Sequence, residues 1–363
     1  MPIHIQNADV IALRIPFTDG SDGTGLMPSP WTHLEITLLR LEASDGTVGW
    51  GDGFSYFCQK TMISALHEMV LPHVLNKDIE SPEQFNREIQ QRLHLQGRYG
   101  ISQFAISAVD IALWDIAAKQ NQQSLATMLG GQKRSNLPAY ASLVRYGDPA
   151  LVKKFTSKAV ALGYDTIKLH EITEAAIRAG RHAAPKPVRL VTDVNCNWSQ
   201  AQAEQLMPIM KELELYWVEE PIFPPDNEHA LGQLQQQYGI SIASGENACT
   251  SVEFARTVPV IDFVQPSVTK VGGITEFVKI CDLARDAGTR VMPHSPYFGP
   301  GYQATAQLMA ARMECEMFEH FFLEPENYLD PSISLPANGR VVVPDKVGIG
   351  FEPDPAMIER YRV

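Results

Sequence analysis

The sequence predicts an α/β chain: an α+β segment followed by a parallel β/α barrel. Three observations lead there. Up to about residue 130 strand patterns come first and helix patterns follow, whereas from about residue 137 short apolar strands alternate with helical stretches. Strict βαβα alternation implies a parallel sheet with helices outside it, and eight such units close into a barrel. At 363 residues the chain also exceeds the roughly 250–300 at which single cores stop growing, so the barrel carries additions.

Taken in order, residues 3–17 and 34–50 are rich in β-branched and aliphatic residues, and the Asp45-Gly46 pair marks a hairpin turn. Between them DGSDGTGLMPSP, residues 19–30, has a length that suits a lid or binding loop as well as a plain surface loop. Helical patterns follow at 59–75, 82–95 and 101–120. The last places Ala105, Ala108, Val109, Ala112 and Ile116 on one apolar face. It runs on to the chain-turning LGG of 129–131. Eight strands are expected at 137–143, 165–170, 188–195, 215–221, 240–246, 261–267, 289–295 and 315–321, each neighbouring pair separated by a helix. The segment 326–363, with VVVP and many prolines, is expected to return over the first domain. The domain expectation is therefore 1–130, 131–325 and 326–363.

The composition narrows the function. With 30 basic against 42 acidic residues the formal charge is −12, and no Lys/Arg run supplies the basic face a nucleic-acid binder needs. An anionic substrate stays open, because a metal or a few local cations reverse the field inside a cleft. The five cysteines, Cys58, Cys196, Cys249, Cys281 and Cys315, are scattered and form no CxxC pair. They read as reduced thiols of a cytoplasmic chain, neither a disulfide framework nor a zinc site. The first residues show no signal-peptide pattern, and no stretch is read as approaching the ~18–20 apolar residues of a membrane span.

The chemistry lies at the C-terminal ends of the expected strands, which carry Lys168 and His170, Asp193 and Asn195, Glu219 and Glu220, Glu246, Ser267 with Lys270, His294, and Glu319. In a barrel, charged residues at that end usually do chemistry. Asp193 and Glu219 lie 26 residues apart and Glu219 and Glu246 27, one βα unit each. Three carboxylates ending three successive strands converge on one side of the mouth. With no Cys or His among them they suit a hard divalent cation, most simply one Mg2+ per chain, with Mn2+ as a substitute. Lys168 and His170, two apart, share a strand face, and His294 approaches from the opposite side. A cation flanked by nitrogen bases fits removal of a proton next to a carboxylate, with the enediolate stabilised electrostatically. Nearby positive charge is expected to lower the Lys168 pKa toward neutrality. Asn195 and Lys270 are candidates for substrate contact, as are Tyr56 and Trp31 from the first domain. Arg145 is a weaker candidate for clamping a distal group.

At these residues the pattern resembles the enolase superfamily, in its mandelate racemase and muconate-lactonizing-enzyme-like branch. The resemblance is carried in family order by GTVGWGD, AISAVDIALWDIAAK, IKLH, DVNCNW, WVEEP, SGEN, TKVGG and MPHS, and spans nearly the whole chain. It implies an α+β capping domain, completed by the C-terminal segment, over a modified (β/α)7β barrel. The metal ligands would fall on Asp193, Glu219 and Glu246. Glu319 would hydrogen-bond the substrate carboxylate, and the 19–30 loop and Gly51–Phe57 would close over the substrate. A homo-oligomer is a further family expectation.

Two departures bear on the reaction. Racemase-like members carry Lys-x-Lys where this chain has Lys168-Leu169-His170, and pair the seventh-strand His with an Asp where this chain has Ser267. Without a carboxylate partner His294 is expected to be a weaker base. That favours β-elimination, with Lys168 or His170 as base and His294 as acid or helper. The leading expectation is a lyase, dehydrating a sugar acid to a 2-keto-3-deoxy acid. The alternatives are a racemase, epimerase or lactone cycloisomerase using the same enolate, or a noncatalytic metal-bound scaffold. The implied partner is a small-molecule carboxylate, not nucleic acid or membrane.

Overall fold

The structure, a computed structural model, describes residues 2–19 and 31–363. The expected loop at 19–30 lies, apart from Asp19, outside those residues. The first sheet begins with β1 (Ile3–Thr18), which pairs antiparallel along its length with β2 (His33–Ala43); β2 pairs with β3 (Val48–Gly53). Asp45 and Gly46 make the turn between β2 and β3: the Asp45 carboxylate accepts from the Thr47 N–H at 2.9 Å, and Gly46 sits at φ +86°.

The expected helix at 59–75 is broken. α1 (Gln59–Ala65) passes into a π-helical turn at Leu66–Val70 and a 3-10 turn at Leu71–His73, where Pro72 lacks the N–H an α-helix needs. A short strand that the pattern did not signal, β4 (Lys77–Ile79), then pairs with Ile3–Ile5 of β1. α2 (Pro82–Arg92) starts at Ser81, whose side chain accepts from the Gln84 N–H. α3 (Ile101–Gln120) has the expected bounds. Its bulk is buried on all sides, not on one face.

By length and composition α3 qualifies as a membrane span, with mean hydropathy 1.4, which corrects the expectation that no such stretch exists. It needs that apolarity for another reason, since 89% of the qualifying window is buried inside the fold. Gly49, Gly51 and Gly53 of β3 face it. A Cβ on Gly51 would lie 1.9 Å from the Ala108 carbonyl oxygen, so strand and helix touch backbone to backbone. The short α4 (Leu125–Met128) ends the segment.

The barrel follows as β5 (Asn136–Ser142), α5 (Pro149–Ala161), β6 (Thr166–Leu169), α6 (Glu174–Ala183), β7 (Arg189–Asp193), α7 (Gln200–Glu212), β8 (Val218–Glu219) and α8 (Glu228–Tyr238). It continues through β9 (Ile242–Ser244), α9 (Thr250–Thr257), β10 (Phe263–Val264), α10 (Gly273–Ala287), β11 (Arg290–Val291), α11 (Pro300–Ala311) and β12 (Phe318–Phe321). The parallel order is β11-β10-β9-β8-β7-β6-β5-β12, and a bridge between Val291 and Cys315 closes the ring. Among the described residues this makes eight strands with seven intervening helices, a (β/α)7β barrel. All eight expected strands are present, several shorter than the apolar runs that signalled them. Tyr140, Val191, Trp217, Ala243, Phe263, Met292 and Met317 fill the lumen below the mouth.

After the barrel, β13 (Glu324–Pro325) pairs with the end of β1, and α12 (Pro355–Tyr361) leads to a bridge between Leu13 and Arg362. Arg362 thus lies against the first sheet. In addition β14 (Arg340–Val342) runs antiparallel to β5 of the barrel. Buried polar contacts join cap and barrel. Asp110 of α3 accepts from the Thr275 N–H at 3.0 Å, and Asp52 of β3 accepts from the Gly301 N–H at the start of α11 at 2.7 Å.

Candidate active site

The parallel register sets the site. Lys168 lies in β6 beside β7, one residue before the strand ends, and Asp193 and Glu219 are direct partners at the ends of β7 and β8. Glu246 follows β9, His294 follows β11 and Glu319 lies in β12, so strands from around the ring aim these side chains at one mouth. One carboxylate oxygen from each of Asp193, Glu219 and Glu246 lies within 4.8 Å of the other two. The second Glu of the WVEEP motif turns away: Glu220 accepts from the Asn247 side chain at 2.8 Å and from Cys196 Sγ at 3.2 Å.

The nitrogen bases are brought to the same place. Lys168 Nζ, fully buried, lies 2.7 Å from Glu219, 2.8 Å from Glu319 and 3.3 Å from Asp193. His170 donates from Nδ1 to the Leu143 carbonyl, which as an acceptor requires the proton on that nitrogen. Its Nε2 is thereby aimed inward, 3.3 Å from Asp193. Opposite, His294 Nε2 lies 3.0 Å from Glu246. Glu319 is held by the Ser142 hydroxyl at 2.8 Å and the Ser295 N–H at 2.9 Å.

Burial and charge oppose one another here. Burial would raise every carboxyl, yet Lys168 and then His170 hold Asp193 well below the usual carboxylate range, and His294 holds Glu246 down to about 2. Glu219 goes the other way: burial, together with Asp193, Glu319 and Glu246, pushes it well up. Burial would lower Lys168, but the charges of Glu219 and Glu319 outweigh it and hold the ammonium well above its usual value. The expected drop toward neutrality is therefore not a property of these side chains alone. Asp193, Glu219, Glu246 and Glu319 bring four carboxyl groups together in a buried space with only Lys168 and Lys270 as ammonium groups, and a divalent cation would offset their repulsion. The all-oxygen donor set of Asp193, Glu219 and Glu246 fits a hard cation.

Above the carboxylates lies a cavity of about 130 Å³. Ser142, His170, Asn195, Glu246, Lys270, His294 and Glu319 give it a polar floor, and Trp31, Phe54, Tyr56, Phe57 and Phe321 an aromatic wall. Asn195 accepts from Arg145 at 3.0 Å while its own N–H donates to Asp193 at 2.8 Å. Arg145 also donates to the His170 carbonyl at 2.6 Å, so it ties the ends of neighbouring strands together. Lys270 lies 3.3 Å from the Asn247 side-chain oxygen and 4.8 Å from the Phe54 ring centre. Tyr56 donates to the Pro296 carbonyl at 2.8 Å and Trp31 to the His33 carbonyl at 2.8 Å, which leaves their rings to line the space.

Phe54 and Phe57 lie in the segment expected to close over the substrate, whereas sequence reasoning missed Phe321, which packs by its ring, and Tyr297, whose hydroxyl lies 3.2 Å from His294 Nδ1. The only signal for Tyr297 was its place three residues after His294.

Comparison with known proteins agrees with this fold. Residues 31–130 match the family model described as mandelate racemase / muconate lactonizing enzyme, N-terminal domain, and residues 151–357 the model described as enolase C-terminal domain-like. The chain is 28% identical over 344 residues to an arabinonate dehydratase of Saccharolobus solfataricus, covering 91% of each. It is 27% identical over 353 residues to a D-galactarolactone cycloisomerase of Agrobacterium fabrum, covering 90% of this chain and 91% of that one. Among solved structures it is similar to a 3,6-anhydro-D-galactonate cycloisomerase from Zobellia galactanivorans, with a TM-score of 0.85 at 25% identity over 99% of both chains.

Proposed function

Because this chain belongs to the mandelate racemase and muconate lactonizing enzyme family of the enolase superfamily, we propose that it removes the proton α to the carboxylate of a sugar acid and expels the β-oxygen. The observation that carries the reading is the disposition of nitrogen bases on both sides of a carboxylate triad: Lys168 and His170 against Asp193 and Glu219, His294 against Glu246. Asp193, Glu219 and Glu246 would hold Mg2+, which Mn2+ could replace; when bound, the cation fixes the substrate carboxylate and stabilises the enediolate.

The protein's own groups supply the remainder. Lys168 or His170 takes the α-proton from one face, each held in place by neighbours before substrate arrives. His294, on the other side, gives a proton to the departing oxygen. Glu319, fixed by Ser142 and Ser295, hydrogen-bonds the carboxylate end of the substrate, with Asn195 and Lys270 beside it. The aromatic wall excludes water from the reacting carbon.

If the departing oxygen is a free hydroxyl, water leaves and the enol becomes a 2-keto-3-deoxy acid. If it belongs to a ring, the ring opens and the product is an isomer of the substrate. The second outcome has its own support. The aromatic wall offers flat CH-binding surfaces, with the Tyr56 and Trp31 donors already engaged, and the same chemistry is named in two relatives.

The test is an NMR assay in D2O with Mg2+ and a panel of sugar acids, their lactones and anhydro forms. Dehydration appears as a deuterated 3-deoxy-2-keto product lighter by one water; ring opening appears as a deuterated product of unchanged composition. α-Deuterium exchange with inversion and no elimination would overturn the elimination reading in favour of an epimerase. A chain that binds Mg2+ yet exchanges no α-proton from any member would point to the noncatalytic scaffold.

A further inference from the structure

The place where relatives of this fold are expected to carry a carboxylate partner for the seventh-strand histidine holds Ser267, yet His294 is not left without a partner. The Tyr297 hydroxyl lies 3.2 Å from His294 Nδ1, and the two rings meet edge to face at 84° with centroids 5.9 Å apart. On its far side the same hydroxyl hydrogen-bonds the Ser267 hydroxyl. All three residues are buried, Ser267 completely. A histidine ring held at Nδ1 can point only Nε2 into the cavity, and here Nε2 faces Glu246 at 3.0 Å.

We propose that Tyr297, anchored by Ser267, is the positioning residue of His294. The serine at position 267 is then not a lost function but one end of a two-hydroxyl relay. Ser267, in the segment after β10, reaches the imidazole through the Tyr297 phenol. Two physical consequences follow. The partner is uncharged: burial pushes the Tyr297 hydroxyl well above its usual range, so the relay fixes ring direction without adding a negative charge to a site that already holds four carboxylates. The partner also lies on the same loop as the histidine, between β11 and α11, so histidine and partner are carried by one segment and tied at Ser267 to the segment that follows β10.

The inference rests on the reading of His294 as a catalytic residue, and the experiment separates the two. His294→Asn is expected to abolish turnover of the substrate found in the NMR assay; unchanged turnover would overturn that reading itself. With His294 so established, Tyr297→Phe removes one hydroxyl and keeps the ring. A displaced imidazole is expected to lower kcat on the order of tenfold to a hundredfold, with KM within about twofold. Ser267→Ala acts through the same phenol, so it should lower kcat by less, and the double variant should match Tyr297→Phe alone. In 15N spectra of the histidine-labelled protein at fixed pH, both single variants should move the His294 ring resonances.

Full kcat in Tyr297→Phe would overturn the proposal. So would a loss that multiplies in the double variant while the His294 resonances stay in place, since that is the behaviour of a packing defect. Should Tyr297→Phe fail to fold, Ser267→Ala still decides, because an unmoved His294 resonance with unchanged kcat in that variant refutes the relay.

Discussion

Replacing Asp52 by Asn should make stability less dependent on pH, and the size of the effect follows from where the carboxyl lies. Asp52 is buried between β3 and the start of α11, with Gly301 N–H donating to Oδ1 at 2.7 Å and Gly299 packed so closely that a Cβ there would lie 2.7 Å from Oδ2. Burial raises it from 3.8 to about 7, the Gly301 hydrogen bond only partly opposing. In the unfolded chain the proton leaves near 3.8; in the folded chain it stays until about 7. Folded protein therefore binds more protons between these values, and stability falls as pH rises through that window. A rise of about three pH units, at about 1.4 kcal/mol each, corresponds to about 4 kcal/mol by pH 8. The favourable field at the α11 N-terminus reduces this by ~1 kcal/mol. Asn keeps the acceptor for Gly301 and cannot ionise. It should be stabilising by only about 1 kcal/mol at pH 4.5, where the unfolded carboxyl has begun to ionise, and by about 2–4 kcal/mol at pH 8. Denaturant midpoints of both proteins at the two pH values measure this, and the difference between pH values cancels any pH-independent change. An equal effect at both, or a variant that loses ground as pH rises, would refute the reasoning. Asp110, also raised to about 7 by burial, stays in both proteins and keeps part of the slope.

Three further outcomes are expected. Glu219→Gln should weaken Mn2+ binding, read by electron paramagnetic resonance or calorimetry, by at least tenfold and remove activity while the circular dichroism spectrum is kept, because an amide replaces an anionic oxygen donor. Lys168→Ala should lower turnover by ~10²- to 10⁴-fold. It should also destabilise the metal-free protein by about 3–5 kcal/mol, since three buried carboxylates lose their common ammonium, and thermal melts with added Mg2+ should recover most of that. Gly51→Ala drives a methyl into the Ala108 carbonyl and should lower stability by about 3 kcal/mol or more, seen as an early unfolding transition of the cap.

What the sequence made readable follows from which physical signals are local. Parallel strands buried on both faces write themselves as short apolar runs, and the carboxylates sit at their ends. Asp193, Glu219 and Glu246 were therefore legible from spacing alone. β8 and β10 shrink to two residues each because the ladder, unlike the apolar run, ends where the strands turn into the mouth. The helix at 59–75 failed for a local reason, Pro72, whose meaning depends on how far the following turn tightens. β4 was silent because three residues paired at an edge leave no periodic trace. α3 was read as one-faced because pattern analysis assumes solvent on the other side; here β3 covers one side and α10 another, with Trp114 reaching Thr275 at 3.0 Å. The aromatic wall is assembled from positions as distant as Trp31 and Phe321, and no window of sequence contains it.

The glycine face of β3 has a consequence for how such a site changes its substrate. Strand β3 runs straight into Phe54, Tyr56 and Phe57, so the starting point of the cavity wall is fixed where backbone rests on backbone. Side-chain contacts can be traded for others of similar volume, but a carbonyl oxygen against a bare α-carbon has no substitute. The strand acts as a datum edge, like the fixed jaw of a calliper. New specificities are expected to come from exchanging the side chains beyond it, at 54, 56 and 57, and a directed library placed there keeps the reference from which the wall is measured.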